Sequence, residues 1–191
     1  ALTRDVPNNI NQILNTERNP DRINTLNKAI FYSISNCQRG LDGISFGNYL
    51  IKDVVKFIQS ELPMIKEFFT LSPVPDFMEW MKSSNNNLYN NINNHPSAET
   101  LTNNENLLND LIRKYLLISD RSDDRPNDPV TRFHIGNGAS MHQINFLADT
   151  SKNAIKYGCS FMVNYKYDMN NIKNNQKRYA TDNKVSHKKN I

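Results

Sequence analysis

The chain has 191 residues and a mass of 22.1 kDa, the size of one ordinary domain, with 38% hydrophobic and 22% charged residues. That balance can bury a real core and excludes wholesale disorder. The net charge of +4 is mild, and much of the basic excess lies in the tail, at Lys184, Lys188 and Lys189. Because aromatic and basic residues do not interleave into a binding motif, nucleic acid is not expected as a partner.

Cysteine and histidine usage argues against a disulfide scaffold and a metal centre. The two cysteines, Cys37 and Cys159, are far apart and form no CxxC pair, which favours a reducing, intracellular compartment. The four histidines show no HExxH spacing, so no metal site is expected. No apolar run approaches the roughly 18 residues that span a bilayer, so no membrane association is expected either.

The clearest predicted strand is residues 29–35, AIFYSIS, which are rich in β-branched and aromatic side chains. Before it, residues 1–28 predict two short helices separated by a turn. After it, a turn with Gly40 and Gly43 opens a helix of about four turns, which Pro63 ends. The apolar face predicted for this helix consists of Phe46, Leu50, Val54 and Phe57.

A second strand at 68–71 completes a βαβ unit with the first strand and the helix. The glycine-bearing loop in such a unit presents backbone amides at a helix N-terminus, where an anion such as phosphate or pyrophosphate is favoured. The loop sequence GLDGISFG is neither GxGxxG nor a Walker loop, so a simple packing role for the glycines stays open.

Residues 82–106 are dominated by asparagine, and we predict a flexible surface insertion that cannot bury enough apolar surface to order itself. An amphipathic helix follows over 107–118, and a charged loop over 119–128. Near the C-terminus, a short helix ending at Tyr157 and a strand over 159–167 are predicted, followed by a polar segment that is helical at best.

The stretch 129–149 contains the most informative histidine, His134. We predict an extended run over 130–135, a Gly136-Asn137-Gly138 turn, and an amphipathic helix over 139–148. A histidine at a strand end beside such a turn can face a pocket while the strand holds its backbone still. The local chemistry also allows an ordinary, satisfied core histidine.

Three blocks of sequence occur in a specific order along the chain. They are AIFYSISNCQRGLDGISFGNYLIKDVVKFI, then TLSPVPDFMEW, then DPVTRFHIGNGASMHQINFLADTS followed by FMVNYKYD. Together they cover most of the chain outside the Asn-rich stretch, and in the same order they closely resemble the C-terminal signature of malonyl-CoA decarboxylases. The tail DMNNIKNNQKRYATDNKV resembles the closing helix of that family.

The resemblance implies an α/β fold class, specifically a partial GNAT acyltransferase-like fold with helices packed on a central mixed sheet. It implies conversion of malonyl-CoA to acetyl-CoA and CO2, in fatty-acid metabolism, without a metal or organic cofactor. The chain begins where the family's catalytic domain is already under way. We therefore expect residues 1–191 to be part of that domain, with the family's N-terminal helical domain absent.

The resemblance also assigns candidate site residues. It makes Ser72 the proton acceptor and His134 the proton donor, with both touching the substrate. The segment that it implies for holding the coenzyme A moiety consists of Asp42, Gly43, Ile44, Ser45, Phe46, Gly47 and Asn48. This is the loop that the βαβ pattern indicates independently. Ser45 stands where the family has an acidic residue, which alters loop packing or coenzyme A contacts.

Two further residues, Asn137 and Tyr167, are candidates for groups that contact the Ser72–His134 pair without touching the substrate. Residue types alone are equally consistent with a turn asparagine and a core tyrosine. Without the resemblance, Ser72 itself is best interpreted as a strand-end serine that satisfies a turn before Pro73. Because 62 positions separate Ser72 from His134, the sequence cannot show that they meet.

Two other functions stay open at this stage. An acyl-CoA N-acyltransferase would share the fold and would transfer acetyl to an amine, with no CO2 released from malonyl-CoA. A catalytically incomplete coenzyme A-binding module would bind without turnover. We expect a homo-oligomer in the full-length protein, and an intracellular location for which the sequence does not distinguish mitochondrion, peroxisome and cytoplasm.

Overall fold

A computed structural model of the chain describes residues 1–15, 25–32, 47–189 and 191, except for the side chains of residues 47–49. Within these residues, five strands form one sheet in the order β1-β2-β3-β5-β4. The strands are β1 (Leu2–Thr3), β2 (Lys28–Tyr32), β3 (Glu67–Pro73), β4 (Ser140–Asn145) and β5 (Met162–Lys166). The helices in the described part are α1 (Asn11–Leu14), α2 (Gly47–Glu61), α3 (Phe77–Ser84), α4 (Asn86–Asn94), α5 (Ala98–Asn103), α6 (Glu105–Leu117), α7 (Pro129–Gly136), α8 (Lys152–Gly158) and α9 (Ile172–Asp182).

The sheet is mixed, as predicted. Strands β2 and β3 are parallel neighbours joined through α2, which confirms the βαβ unit. Strand β5 lies between β3 and β4 and is antiparallel to both. Strand β5, although it is last in the sequence, therefore pairs with β3. This pairing brings the C-terminal third of the chain next to β3, the strand that follows α2.

The two faces of the sheet bury different sets of side chains. Successive residues of a strand point to opposite faces, so Phe68 packs in the larger core and Phe69 in a smaller one. Helices α3, α6 and α7 cover the larger core, which also receives Tyr165 of β5 and Tyr167, the residue after β5. Val6, Ile10 and Ile13 cover the smaller core on the other face.

The extended run predicted at 130–135 is wrong, because this segment is helix α7. Asp128 is the N-cap and its side chain accepts a hydrogen bond from the Thr131 amide, while Pro129 occupies the first turn. Both are established helix-start signals. They outweigh the β-branched Val130 and Ile135, so His134 lies on a helix and not at a strand end.

The helix predicted over 139–148 is also wrong, because it is replaced by strand β4. The ladder with β5 is shifted between Met141 and Gln143, so the strand contains one extra residue there. This bulge changes the phase of the pleat. Met141 and Ile144, three positions apart, consequently pack against the same core and imitate helical spacing in the sequence.

The Asn-rich stretch forms helices, so the prediction of a segment unable to order itself is wrong. It contains the end of α3, all of α4 and α5, and the start of α6. Leu88 and Ile92, one helical turn apart, are buried together with Leu101. The side chains of Asn85 and Ser97 cap α4 and α5. A few apolar residues at helical spacing, with good caps, are therefore enough here.

Other predicted elements are confirmed with shifted boundaries. The strands at 29–35 and 68–71 correspond to β2 and β3, the helix at 107–118 to α6, and the short helix ending near Tyr157 to α8. The strand predicted over 159–167 begins at Met162, because Cys159 and Ser160 have positive φ angles. In α2 the buried residues are Ile51 and Val55, whereas Leu50 and Phe57 are exposed, so the predicted face was wrong. The second short helix and the glycine loop at 40–46 lie outside the described residues.

Candidate active site

Ser72 and His134 meet in the larger core, although 62 positions separate them. Ser72 lies near the end of β3 and His134 in the last turn of α7. The Ser72 Oγ atom is 3.0 Å from Nε2 of His134. The side chains are nearly inaccessible, with 5% of Ser72 and 2% of His134 exposed. A hydrogen-bonded serine and histidine that are shielded from water form a unit able to move a proton.

The other imidazole nitrogen, Nδ1, contacts Tyr167, the residue that directly follows β5. The Tyr167 hydroxyl lies 2.9 Å from Nδ1 of His134. Burial lowers the pKa of His134 to about 3, so the ring is neutral near pH 7 and carries a proton on one nitrogen only. If the hydroxyl donates to Nδ1, the imidazole proton resides on Nε2 and is directed at Ser72.

The Ser72 hydroxyl has a second partner that agrees with this arrangement. It donates to the Thr70 Oγ1 atom at 3.1 Å. Ser72 can then accept the Nε2 proton in a hydrogen bond while its own proton is directed elsewhere. With Tyr167 as the donor to Nδ1, the order Tyr167, His134, Ser72, Thr70 is a continuous chain in which each group donates to the next.

Tyr165 packs against the face of the imidazole. The ring centroids of His134 and Tyr165 are 4.4 Å apart, with an angle of 24° between the planes. The Tyr165 hydroxyl is 2.7 Å from the Thr131 Oγ1 atom, in a fully buried setting. Asp128, also buried, accepts a hydrogen bond from the Thr131 amide at 2.5 Å. These contacts tie β5 to the first turn of α7.

Asn137 is buried beside Tyr167 at the C-terminal end of α7. Burial raises the pKa of the Tyr167 hydroxyl, and the Asn137 side chain opposes that effect, which places the two polar groups close together. Among the described residues, neither amide atom of Asn137 has a hydrogen-bond partner of ordinary geometry, although Asn137 is only 1% exposed. A buried and unpaired amide is unusual. Asn137 is thus a group whose hydrogen-bonding capacity is unused.

The structure therefore brings together Ser72, His134 and Tyr167, with Asn137 adjacent to Tyr167. The candidate coenzyme A-binding residues Asp42, Gly43, Ile44, Ser45 and Phe46 lie outside the described residues. Gly47 and Asn48 are the first two residues of α2. The segment predicted to contact coenzyme A therefore continues into the first turn of that helix.

Sequence reasoning missed Thr70, Tyr165, Thr131 and Asp128. For the first two, a signal was available in the alternation of β-strand side chains: Thr70 shares a face with Ser72, and Tyr165 shares a face with Tyr167. The Asp-Pro pair at 128–129 was the missed sign of a capped helix. Thr131 would then follow as the residue one turn before His134.

Two cavities lie outside this cluster of side chains. One, of about 350 Å³, is polar and lies between β4, β5, α9 and the C-terminal tail, where it includes Lys166 and Arg178. The other, of about 210 Å³, is mainly apolar and includes Pro73 and Met162, adjacent in sequence to Ser72 and Val163. Among the described residues, no group of three His, Cys, Asp or Glu side chains could hold a metal ion. None of the described helices is long and apolar enough to cross a membrane.

Comparison with known proteins decides the family. The family model described as the malonyl-CoA decarboxylase C-terminal domain matches residues 1–191. This chain belongs to the malonyl-CoA decarboxylase family. The mitochondrial malonyl-CoA decarboxylase of Anser anser anser is 34% identical and aligns with 94% of the chain but 42% of its own length. The corresponding Mus musculus protein is 32% identical, over 87% of the chain and 41% of its own length.

Solved malonyl-CoA decarboxylase structures share the fold. The crystal structure from Agrobacterium vitis superposes with a TM-score of 0.89 at 38% identity, covering 98% of this chain and 50% of that chain. The structure from Rhodopseudomonas palustris gives a TM-score of 0.86 at 38% identity, covering 98% and 46%. The mixed α/β fold is consistent with a GNAT-like architecture. The chain spans about half the length of the malonyl-CoA decarboxylases that it matches.

Proposed function

We propose that this chain is part of a catalytic domain that converts malonyl-CoA to acetyl-CoA and CO2. The observation that carries the proposal is the buried contact of 3.0 Å between Ser72 Oγ and His134 Nε2, in a member of the malonyl-CoA decarboxylase family. The resemblance in the sequence marks these two residues as the catalytic pair. That two residues so distant along the chain come within hydrogen-bond distance supports a joint role.

The reaction needs stabilisation of negative charge and one proton. When the free carboxylate of malonyl-CoA leaves as CO2, the electron pair of the broken C–C bond moves into the thioester and forms an enolate. A proton then adds to the same carbon and gives acetyl-CoA. Because the thioester accepts the electron pair, hydrogen-bond donors aimed at its oxygen can do the work of an organic cofactor, each contributing a few kcal/mol.

His134 is proposed as the donor to the enolate. A neutral imidazole is a weak acid, so it gives up a proton only to a strong base, and an ester-like enolate is such a base. The low pKa of about 3 that burial imposes on His134 keeps the ring neutral and its Nε2–H available over the physiological pH range. Tyr167, at 2.9 Å from Nδ1, holds the proton on the nitrogen that faces Ser72.

Ser72 is proposed as the group that contacts the carboxylate side of the substrate. Its hydroxyl is next to the imidazole and can hydrogen-bond the departing carboxylate or exchange its proton with His134. No GxSxG elbow surrounds Ser72, and Pro73 follows it directly, so the pair differs from a hydrolase triad. In the free enzyme, the Ser72 hydroxyl donates a hydrogen bond to its other partner, the Oγ1 atom of Thr70, at 3.1 Å.

The segment formed by residues 42–48 is proposed to hold the coenzyme A moiety. Its last two residues begin α2, the helix of the parallel βαβ unit, and anionic groups are favoured at such a position. Titration of the intact protein with coenzyme A, alongside its Gly43→Val variant, tests this role. Weaker binding in the variant with unchanged thermal unfolding supports it, whereas equal binding contradicts it.

The decisive experiment is CO2 release from malonyl-CoA by the intact protein and its variants. We expect His134→Ala and Ser72→Ala to lower kcat by about 10²–10⁴-fold each, the range for loss of positioned proton transfer. His95→Ala is the matched control, because His95 is exposed at the end of α4 and should leave kcat unchanged. Acetyl transfer to an amine, or coenzyme A binding without turnover, would replace the decarboxylase proposal.

Location and assembly belong to the same proposal. The goose and mouse relatives are named as mitochondrial proteins, and we extend that location to this protein within the intracellular options. Fluorescence microscopy of the tagged, full-length protein tests it, and a purely cytoplasmic or peroxisomal signal would contradict it. The expected homo-oligomer is tested by light scattering of the same full-length protein, where a monomer mass is the contrary result.

A further inference from the structure

The strongest unassigned feature is the way the His134 ring is held on its flat face. The imidazole of a histidine can tilt about its Cβ–Cγ bond, and a half-turn about the same bond exchanges its nitrogen and carbon edges. The Tyr165 ring, stacked at 4.4 Å with 24° between the planes, restricts the first motion. The Tyr167 hydroxyl at Nδ1 restricts the second, because the flipped ring would offer it a carbon.

Tyr165 is itself anchored by the helix that carries the histidine. Its hydroxyl is 2.7 Å from Thr131 Oγ1, and Thr131 lies three positions before His134 on α7, on the same face of the helix. One tyrosine from β5 therefore contacts α7 at two points, through its hydroxyl at Thr131 and through its ring at His134. Because its hydroxyl is held at Thr131, the Tyr165 ring resists tilting where it stacks on His134.

The same tyrosine is linked to the serine side of the pair. The backbone amide of Tyr165 donates to Thr70 Oγ1 at 3.4 Å, and Thr70 Oγ1 also accepts the Ser72 hydroxyl. The Thr131 end is held in turn by Asp128, whose carboxylate accepts the Thr131 amide. Tyr165 thus contacts both Thr70, the hydrogen-bond partner of Ser72, and the ring of His134.

We propose that Tyr165 and Thr131 act together as positioning residues that hold the His134 imidazole in the orientation required for proton transfer to the substrate. This inference rests on the proposed decarboxylase function for its catalytic consequence. Neither residue is placed in contact with substrate. The competing explanation is that two buried hydroxyls merely satisfy each other, a common arrangement for buried tyrosines.

A double-mutant cycle separates the two explanations. Thr131→Val and Tyr165→Phe each remove one hydroxyl and keep the side-chain shape and, for Tyr165→Phe, the stacked ring. In the intact protein we expect each to lower kcat for CO2 release by about tenfold, with a smaller change in KM, because misplaced catalytic groups lose rate steeply. The double variant should be no slower than either single variant, since the same contact is already lost.

Two control variants make the cycle specific. Thr131→Ser keeps the hydroxyl and should restore kcat to within about twofold of the parent, as a retained hydrogen bond requires. Tyr115→Phe changes another buried tyrosine, whose hydroxyl has no hydrogen-bond partner in the described part of the chain, and should leave kcat unchanged. If Thr131→Val keeps the parental kcat, or if the losses of the single variants simply multiply in the double variant, the proposal is overturned.

A spectroscopic readout keeps this inference separate from the proposed function. Nitrogen-15 NMR of labelled imidazole, assigned with His134→Gln, reports which ring nitrogen carries the proton. We expect one neutral form with the proton on Nε2 in the parent, and a mixture of forms or exchange broadening in Thr131→Val. If the parent releases no CO2 but differs from Thr131→Val in this way, the positioning role of Tyr165 and Thr131 is supported and the decarboxylase proposal fails. If Thr131→Val retains the single form, the positioning role is contradicted, whatever the activity.

Discussion

The Tyr167 hydroxyl lies 2.9 Å from Nδ1 of His134, on the edge of the imidazole opposite Ser72. A neutral histidine held between a hydroxyl at each nitrogen is polarised along one direction, because only one nitrogen carries a proton. The direction of that polarity decides whether the ring can donate toward Ser72. The Tyr167 hydroxyl therefore contacts the candidate catalytic pair, in addition to the packing of its ring in the core.

The first prediction concerns this hydroxyl. Tyr167→Phe keeps the buried ring but leaves Nδ1 without its donor, so the imidazole proton is no longer held on Nε2. We expect kcat for CO2 release to fall by about 10- to 100-fold, with a smaller change in KM. Tyr157→Phe is the matched control, since Tyr157 is 49% exposed on α8. A kcat within about twofold of the parent in Tyr167→Phe would show that Tyr167 only fills space.

The second prediction concerns the buried cap of α7. Burial raises the pKa of Asp128 to about 6, with Asp76 adding to the effect and the Thr131 hydrogen bonds and Arg132 opposing it. A carboxyl group whose folded-state pKa is above its unfolded value of 3.8 favours folding of the protonated form. The corresponding stability is present below the unfolded value and is lost as the pH rises through the folded value.

Asp128→Asn keeps an oxygen that can accept the Thr131 amide and removes the ionisation. The stability of the variant relative to the parent should therefore rise by about 2 kcal/mol between pH 4.5 and pH 7.5. Urea unfolding of both proteins across this range measures the difference, and titrations shared by both proteins cancel. A stability difference that does not change with pH would mean that Asp128 has an ordinary pKa.

The third prediction uses two glycines on either side of Asn137. Gly138 has a φ of +86°, and a Cβ there would lie 2.5 Å from the Ile172 carbonyl oxygen. We expect Gly138→Ala to lower the free energy of unfolding by roughly 2–4 kcal/mol, through backbone strain and displacement of α9. Gly136→Ala is the control, because its Cβ would meet only the Tyr179 ring at 3.6 Å. Equal unfolding midpoints for the two variants would contradict this account.

The fourth prediction tests whether the Asn-rich helices contribute to the fold. Leu88 is 5% exposed and Ile92 fully buried, so Leu88→Ala and Ile92→Ala should each lower the free energy of unfolding by about 2–5 kcal/mol. Asn87→Ala, at an exposed position of the same helix, should have little effect. Denaturant unfolding measures all three. If the leucine and isoleucine variants match the asparagine variant, α4 is not packed on the core.

The sequence could indicate the fold where local signals were unambiguous. The β-branched run before the glycine loop, the apolar run after Pro63 and the capped helix at Ser151 each depend on residues within one or two turns of each other. The family blocks marked Ser72 and His134 without showing where they lie. The catalytic roles of these residues stay predictions for the experiments above.

The sequence misled where a nonlocal partner changed the local pattern. The bulge in β4 opposite β5 allows Met141 and Ile144 to pack on the same core although they are three positions apart. In the sequence, that spacing resembles the spacing of a helix. The asparagines of α4 looked unable to order, but the core against α3 supplies the burial that Leu88 and Ile92 require. The α7 error differs, because the helix-start signal, Asp128 followed by Pro129, is local and present in the sequence itself.

By itself, the sequence determined the βαβ unit, helices α6 and α8, strand β5 and the family, because these depend on periodicity, caps and ordered blocks of residues. Only the tertiary structure decided that β5 inserts between β3 and β4. That strand order places Tyr165 and Tyr167 beside β3 and against His134. Contacts across 62 positions depend on strand register and helix packing, which no local pattern specifies.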